Sequence, residues 1–123
     1  MARTNEVAIF VRRGPELLVV HRSPTGGAYW HTIAGGVEEG ETAAEAARRE
    51  LQEETGIDAQ VVGTGVWFVY ESTRVDCFLA DVPDGWEPAL DHEHDDYRWV
   101  AAADAPAALY WPDLADALRR SLP

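Results

Sequence analysis

The sequence has no lysine, only one cysteine and no long apolar run. A single cysteine, Cys77, excludes an intramolecular disulfide framework and a cysteine-based zinc site. No segment approaches the roughly 18 apolar residues of a membrane-spanning helix, and the first six residues lack the apolar core of a secretory signal. We therefore expect a cytoplasmic protein that does not bind a membrane.

The length and charge of the chain narrow its class further. Its 123 residues, 46% of them hydrophobic, match one folded domain over 1–123. Acidic residues outnumber basic ones 22 to 10, and the net charge is −12. Such a charge opposes broad binding to a phosphate backbone, so we expect no stable nucleic-acid complex.

The acidic residues are concentrated in two blocks. Between residues 38 and 54, seven glutamates against two arginines leave a charge of −5, and residues 76–96 hold eight acids and no arginine. Acidic clusters are typical of a solvated surface. Converging carboxylates, however, need protons or a metal ion to neutralise them. Both interpretations remain open at this point.

The order of apolar, turn and helix-forming residues predicts a mixture of strands and helices. The predicted strands cover 5–12, 16–22, 29–33, 59–70, 73–81 and 96–100, a glycine-rich loop covers 35–40, and helices cover 42–55 and a C-terminal segment from Pro112. Thr42 and Glu45 form a capping-box pattern, and Gly56 marks the end of that helix. This order favours an α/β (α+β) fold with a mixed β-sheet in a three-layer or two-layer arrangement.

The helix over 42–55 carries acid on its apolar side. At about 100° per residue, Glu50 and Glu54 fall beside the apolar stripe that includes Leu51, Glu53 lies on the flank, and Arg49 falls on the far side. Either the end of the helix emerges into solvent, or these carboxylates bind a hard divalent cation. The helix dipole disfavours acids at this end, which favours a functional role.

Residues 35–57 resemble the Nudix box, G-x5-E-x7-R-E-U-x-E-E-x-G-U, in which U is a bulky aliphatic residue. All nine specified positions match: Gly35, Glu41, Arg49, Glu50, Leu51, Glu53, Glu54, Gly56 and Ile57. The resemblance implies the Nudix fold, a mixed β-sheet sandwiched between helices, and a hydrolase that uses Mg²⁺ or Mn²⁺. Its implied reaction is water attack at phosphorus in a diphosphate linkage of a nucleoside triphosphate or a related nucleoside diphosphate derivative.

The same resemblance implies roles for individual residues. Metal ligands would be the side chains of Glu50, Glu53 and Glu54 and the backbone carbonyl of Ala34. Arg49, Glu50 and Glu53 would belong to the catalytic set. The loop would be shaped by Gly35, Gly36, Glu41 and Gly56, with Glu41 and Arg49 orienting the carboxylates.

Two shorter motifs resemble the subgroup of dihydroneopterin triphosphate and deoxynucleoside triphosphate pyrophosphohydrolases. They are Tyr29-Trp30 and Glu93-His94-x-x-Tyr97-Arg98-Trp99. The resemblance implies that Glu93 is a further metal ligand or the catalytic base. By position, Arg22 and His31 are candidates for holding phosphate. Tyr29 and Trp30, and also Trp67, Phe68 and Tyr70, are candidates for stacking a base, with core packing as the alternative.

Several alternatives stay open on sequence alone. The chain could be a non-catalytic nucleotide-binding or sensing domain, or a hydrolase of dinucleotide polyphosphates. Residues 92–96 could form a histidine-rich transition-metal site. An isoprenoid diphosphate isomerase would need a catalytic cysteine, and the position of Cys77 in an apolar strand predicts a packing residue instead. We expect a small nucleotide as substrate, and the resemblance makes a homodimer plausible.

Overall fold

The computed structural model describes residues 5–122, and a sheet of seven strands forms its centre. The strands are β1 (Asn5–Arg13), β2 (Glu16–Arg22), β3 (Trp30–His31), β4 (Ile33–Gly36), β5 (Val62–Tyr70), β6 (Thr73–Asp81) and β7 (His94–Ala101). The helices are α1 (Ala43–Thr55), α2 (Ala105–Ala108) and α3 (Pro112–Ser121). The predicted combination of strands and helices in one α/β (α+β) domain is therefore confirmed.

Strand β1 organises the sheet because it pairs with three other strands. It runs parallel to β6 and antiparallel to β2 and β4. Strand β5 forms an antiparallel hairpin with β6, and β7 pairs with β2. Residues 7–11 of β1 are all buried, as the continuous apolar run predicts for a central strand.

Alternate side chains of β1 enter two separate cores, since successive residues of a strand point to opposite faces. Val7 and Ile9 pack on one face with Leu51 of α1. Ala8 and Phe10 pack on the other face with residues of α2 and α3. Helices thus cover both faces of the sheet, and both helical layers are anchored to the same strand.

Helix α1 begins and ends where its sequence signals predict. The Thr42 hydroxyl accepts a hydrogen bond from the Glu45 backbone N–H (3.1 Å), and the Glu45 carboxylate accepts one from the Thr42 N–H (2.8 Å). These two bonds form the predicted capping box. Gly56 ends the helix with φ of 84°, a conformation that side chains disfavour.

The segment before α1 differs from the prediction. The expected strand over 29–33 is divided into β3 and β4 at Thr32, whose hydroxyl donates to the backbone carbonyl of Ile9 at 2.6 Å. Gly35 and Gly36 lie in β4, not in a loop, because they pair with Val7 and Glu6 of β1. The glycine-rich segment is therefore held as a strand until just before the loop that leads to α1.

The C-terminal helices are partly as expected. Helix α3 begins at Pro112 and buries Leu114, Ala117 and Leu118, as its spacing predicts. Helix α2 was not predicted, because four residues are too few to show a helical period. None of the three helices in residues 5–122 is long and apolar enough to cross a membrane.

Candidate active site

The inner face of α1 brings two carboxylates against the sheet. Glu54 is only 2% exposed and the Glu50 side chain is largely buried, so the prediction that both lie on the inward face is confirmed. Glu53, on the flank, has a side chain that is 56% exposed. A Cβ atom added at Gly35 would collide with the carboxyl group of Glu50. Glycine at this position is therefore what allows Glu50 to lie directly on β4.

Arg49 links the helix to the loop before it. Its guanidinium donates to both carboxylate oxygens of Glu41 (2.7 and 2.9 Å), to the Gly36 carbonyl (2.9 Å) and to Glu50 (2.9 Å). The hydrogen bonds from Arg49 and from the Glu38 backbone lower the pKa of Glu41 to about 2. Although Arg49 lies away from the apolar stripe of α1, the side chain is only 24% exposed because this loop and its carboxylates surround it.

Glu54 is the least satisfied charged group of the site. Its Oε2 atom is buried and has no hydrogen-bond partner, and its Oε1 atom lies 3.7 Å from Nε2 of His94. Burial raises the pKa of Glu54 to about 10, with further contributions from Glu50, Glu93 and Asp91. An uncompensated carboxylate in this position is costly, so Glu54 requires either a proton or a cation.

The donor chemistry of this cluster fits a divalent cation. Carboxylate oxygens are the ligands that Mg²⁺ and Mn²⁺ prefer, and Glu54 offers an oxygen with no other partner. Within residues 5–122, no three histidine, cysteine, aspartate or glutamate side chains already surround a position for a metal ion. Arg49 engages Glu50 and Glu53 instead. A cation that used these oxygens would have to displace the arginine.

Two further predicted metal ligands are Glu93, which directly precedes β7, and Ala34 of β4. The Glu93 side chain is exposed, and its negative charge contributes to the raised pKa of Glu54. The backbone of Glu93 is fixed because its carbonyl accepts from the Ser23 N–H at 2.9 Å and its N–H donates to Asp91 at 3.2 Å. Ala34 pairs with Ala8 in β4 and directly precedes Gly35. Ala34 thus adjoins the glycine on which Glu50 lies, and Glu93 acts on Glu54 through its charge.

A cavity of about 400 Å³ opens on the α3 side of the sheet. Aromatic side chains dominate its wall: Tyr29, Phe68, Tyr70 and Trp111. Trp111 meets the rings of Tyr29 and Tyr70 with centroid distances of 5.6 Å. Ala34 and His31 also line the cavity, and so do the carboxylates Glu6 and Asp113. Since Ala34 adjoins Gly35, the cavity begins one residue from the point where Glu50 meets β4.

Of the four residues predicted to bind substrate, two line this cavity and two do not. Tyr29 and His31 line the cavity, whereas Trp30 does not and instead contacts His21 and Arg98. The Arg22 guanidinium lies 5.9 Å from the Tyr29 ring, outside the cavity lining.

His31 differs from the expectation in its charge. Burial, together with the charges of Arg22 and His94, lowers the pKa of His31 to about 4. The imidazole is therefore neutral near pH 7 and adds no positive charge to the cavity.

Sequence patterns did not single out three residues that the fold brings to the site, Asp91, Trp111 and Asp113. Trp111 and Asp113 enter the cavity from the start of α3. Asp91 lies 3.2 Å from His94, a residue of the predicted 92–96 segment that in turn lies 3.7 Å from Glu54. For Trp111 and Asp113 the only sequence signal was Pro112, which marks the start of α3. Residues at the start of a helix often face the sheet against which the helix packs. Trp67, a candidate for base stacking, lies outside this cavity against Arg74.

A comparison with protein families settles which family this site belongs to. The family model described as NUDIX domain matches residues 2–121. The chain belongs to the NUDIX domain family. Among curated relatives, it is 38% identical over 102 residues to the NAD-capped RNA hydrolase NudC of Haemophilus influenzae, covering 77% of this chain and 38% of the relative. It is 36% identical over 121 residues to the phosphatase NudJ of Escherichia coli, covering 92% and 79%.

A third curated relative is named for a different activity, and this chain matches only part of it. The octanoyltransferase of Myxococcus xanthus is 32% identical over 129 residues, which cover 97% of this chain and 36% of that protein. The chain thus spans little more than a third of the length of the first curated relatives it matches. The dihydroneopterin triphosphate pyrophosphohydrolase structure of E. coli has a TM-score of 0.81 at 23% identity, covers 96% and 94% of the two chains, and demonstrates the shared fold.

Proposed function

We propose that this NUDIX domain hydrolyses a diphosphate linkage in a nucleoside triphosphate or a related nucleoside diphosphate derivative. The observation that carries the proposal is the buried, unpartnered carboxylate of Glu54 beside Glu50, next to a cavity with aromatic walls. Hydrolysis of a nucleotide diphosphate linkage requires both features. The phosphate needs a group that compensates its charge, and the base needs an aromatic surface on which it can stack. The names of the NudC and NudJ relatives also point to phosphate chemistry.

In this proposal Glu50, Glu53 and Glu54 hold Mg²⁺ or Mn²⁺, with Glu93 and the Ala34 carbonyl as further ligands. Such a cation neutralises phosphate charge and lowers the pKa of a bound water. Arg49 orients Glu50 and ties the loop to α1 through Glu41. These contacts keep the carboxylates in place before substrate arrives, so that little reorganisation is needed during the reaction.

The proton of the attacking water needs an acceptor, and Glu53 is the best candidate in the cluster. Its side chain is the most exposed of the three α1 glutamates proposed as ligands, and it reaches Arg49 only at 3.3 Å. Glu93, also exposed, is the second candidate. Water then attacks phosphorus, the bridging P–O bond breaks, and the bridging oxygen leaves with the departing phosphate group.

The cavity on the α3 side is proposed to hold the nucleoside. Phe68 and Trp111 supply aromatic surface for a base, and stacking of this kind accepts any base. Glu6 and Asp113 supply carboxylates, which only accept hydrogen bonds when ionised. The cavity therefore favours a base that presents N–H donors. Ala34 lines this cavity and adjoins Gly35, so we propose that the phosphates lie on the Glu50 side of β4.

The proposal is tested by product analysis with matched variants. A nucleotide panel with Mg²⁺ or Mn²⁺ in H₂¹⁸O, scored by mass, identifies the substrate and the phosphorus that receives the oxygen. We expect Glu53→Gln and Glu54→Gln to fold and to lose turnover by about 10²–10⁴-fold. Glu39→Gln, an exposed change in the adjacent loop, is the control and should retain it. Near-normal turnover by both site variants, or binding without turnover by the unmodified protein, would contradict the proposal.

A further inference from the structure

Strand β5 is an edge of the sheet and carries most of the exposed large apolar side chains. It pairs with β6, and the strand order of the sheet ends with it. Within residues 5–122, five large hydrophobic side chains are exposed. Four of them belong to β5: Val62 (60%), Trp67 (48%), Val69 (55%) and Tyr70 (41%). A strand edge with exposed apolar side chains is a template for pairing with another strand.

Strand β5 also lacks the charged side chains that usually protect such an edge. None of its nine residues, Val62–Tyr70, is charged, although 26% of the residues in the chain are. Strand β7, by contrast, contains Asp95, Asp96 and Arg98. Two copies of a chain with a net charge of −12 repel each other. An uncharged strand is therefore the place where two copies can approach with the least repulsion.

The second half of β5 is regular and can accept a further strand. The register between β5 and β6 shifts between Gly63 and Trp67, where Gly65 has φ of 80°. Beyond this bulge, residues 67–70 pair with residues 73–76 without interruption. Hydrogen bonds of an antiparallel pair alternate in direction, so every second residue here directs its N–H and C=O groups away from β6.

Helix α3 lies along β5 and runs in the opposite direction. The hydroxyl of Ser121, the last residue of α3, lies 3.1 Å from the Thr64 hydroxyl near the start of β5. At the other end, partial burial raises the pKa of Tyr70, and the charges of Glu71 and Asp113 contribute to that rise. Both carboxylates therefore lie near the end of β5.

The two ends of β5 consequently differ in the sign of the nearby charge. Arg119 and Arg120, in the last turn of α3, lie near its start, whereas Glu71 and Asp113 lie near its end. All four residues are exposed. In an antiparallel pair of two β5 strands, the start of each strand faces the end of the other. The arginines of one copy then face the carboxylates of the second copy, whereas a parallel pair would bring like charges together.

We propose that β5 is the interface of a homodimer, in which it pairs antiparallel with β5 of a second copy of this chain. The two copies are related by a two-fold axis, so the contact closes at two chains. Trp67 and Val69 are two residues apart and share one face of the sheet, so those of both copies form one apolar cluster across the axis. The inference does not rest on the proposed function.

Sedimentation velocity over a range of protein concentrations measures the dimer directly. We expect the unmodified protein to dimerise. Val69→Asp should weaken the dimer by about 100-fold, because each dimer loses two buried valine side chains. Tyr110→Asp adds the same charge at the fifth exposed hydrophobic residue, outside β5, and should leave the dimer intact. Thermal melting of both variants checks that they fold.

A charge exchange tests the antiparallel orientation. Glu71→Arg should weaken the dimer by about fivefold, because it faces the arginines of the second copy, and added salt should reduce this effect. Combining Glu71→Arg with Arg119→Glu places unlike charges opposite each other again and should recover most of the lost affinity. A combination that binds no better than Glu71→Arg alone would overturn the antiparallel arrangement.

The remaining outcomes decide the interface itself. A protein that stays monomeric up to about 1 mM, or that grows into open-ended oligomers, would overturn the inference. Equal effects of Val69→Asp and Tyr110→Asp would also overturn it, because the interface would then not depend on β5. None of these measurements involves turnover, so the dimer and the proposed hydrolysis can fail separately.

Discussion

The two faces of the sheet present opposite chemistry where they meet at β4. On the α1 face, an aliphatic core around Ile9 and Leu51 ends in the carboxylates Glu50 and Glu54. On the α3 face, a core that also begins on β1 ends in a cavity with aromatic walls. A nucleotide needs both environments, since its phosphates require charge compensation and its base favours aromatic surface.

Alternation along β4 keeps the two environments apart. Neighbouring residues of a strand face opposite sides of the sheet. Ala34 lines the cavity, and the direction from Gly35 points into the carboxyl group of Glu50. A single peptide unit therefore separates the proposed nucleoside site from the proposed phosphate site. Changes on either side of this unit should affect base recognition and phosphate chemistry separately.

Among changes that compare the two faces without removing a proposed metal ligand, the largest effect is expected where β4 touches the α1 face. Gly35→Ala places a Cβ atom on the Glu50 carboxyl group and must displace it. We expect kcat to fall by about 100-fold, because a displacement near 1 Å at a catalytic group has that effect. Overpacking should also lower the free energy of unfolding by about 1–3 kcal/mol.

The control for this change lies in another strand. Gly63→Ala in β5 would place its Cβ 3.7 Å from Phe78, an ordinary contact, and should change neither kcat nor folding appreciably. Steady-state kinetics and thermal melting of the two variants make the comparison. Full activity of Gly35→Ala would show that Glu50 does not need its position on β4.

A second prediction concerns the pH dependence of the metal-free protein. The pKa of Glu54 is raised from 4.5 to about 10, so the folded state binds a proton that the unfolded state releases above pH 4.5. This contribution to stability is complete below pH 4.5 and is lost progressively as the pH rises towards 10. Glu54→Gln cannot lose that proton and should be more stable than the unmodified protein at pH 8, by about 1–4 kcal/mol.

Chemical denaturation in a chelator at several pH values measures this difference. Excess Mn²⁺ should reverse it, because binding to the folded state stabilises only the protein that keeps the carboxylate. Glu39→Gln provides the exposed control. A pH-independent gap between Glu54→Gln and the unmodified protein would contradict the assignment of a buried, protonated Glu54.

The α1 face could be predicted from sequence because its signals are local. The bounds of α1 follow from Thr42, Glu45 and Gly56, and the inward direction of Glu50 and Glu54 follows from the helical period. The Nudix-box resemblance covers the same 23 residues. Every one of these signals operates within one helix and its flanking loops, where spacing along the chain determines spacing in the fold.

The α3 face could not be predicted in the same way because it is assembled from distant segments. Tyr29 precedes β3, Phe68 lies in β5 and Trp111 precedes α3, and successive members of this set are about 40 residues apart along the chain. Periodicity shows that such residues are apolar but not which of them share a wall. Trp30 and Trp67 show the consequence, since both were candidates for stacking and neither lines the cavity.

The α3 face can be tested with two tryptophans. Trp111→Ala removes one wall of the cavity, and we expect KM to rise by about 10-fold with little change in kcat, because stacking on one aromatic contributes about 1–3 kcal/mol. Trp67→Ala removes a side chain that packs against Arg74 outside the cavity and should leave KM unchanged. Equal effects of the two variants would place the base elsewhere.

The smallest expected effect distinguishes one base from another. Asp113 is an exposed acceptor in the cavity lining, so a hydrogen bond to a base there contributes about 1 kcal/mol. Guanine carries a ring N–H and an exocyclic amine, and hypoxanthine lacks the amine. We expect kcat/KM to be about fivefold higher for the guanine nucleotide than for the hypoxanthine nucleotide, and Asp113→Asn to reduce that ratio. Because the two substrates have identical phosphates, any change in the ratio reports the α3 face alone. If neither Asp113→Asn nor Gly35→Ala changes this ratio of kcat/KM values, then neither face forms a hydrogen bond to the amine. The cavity would in that case recognise the shape of the base and not its hydrogen-bond donors.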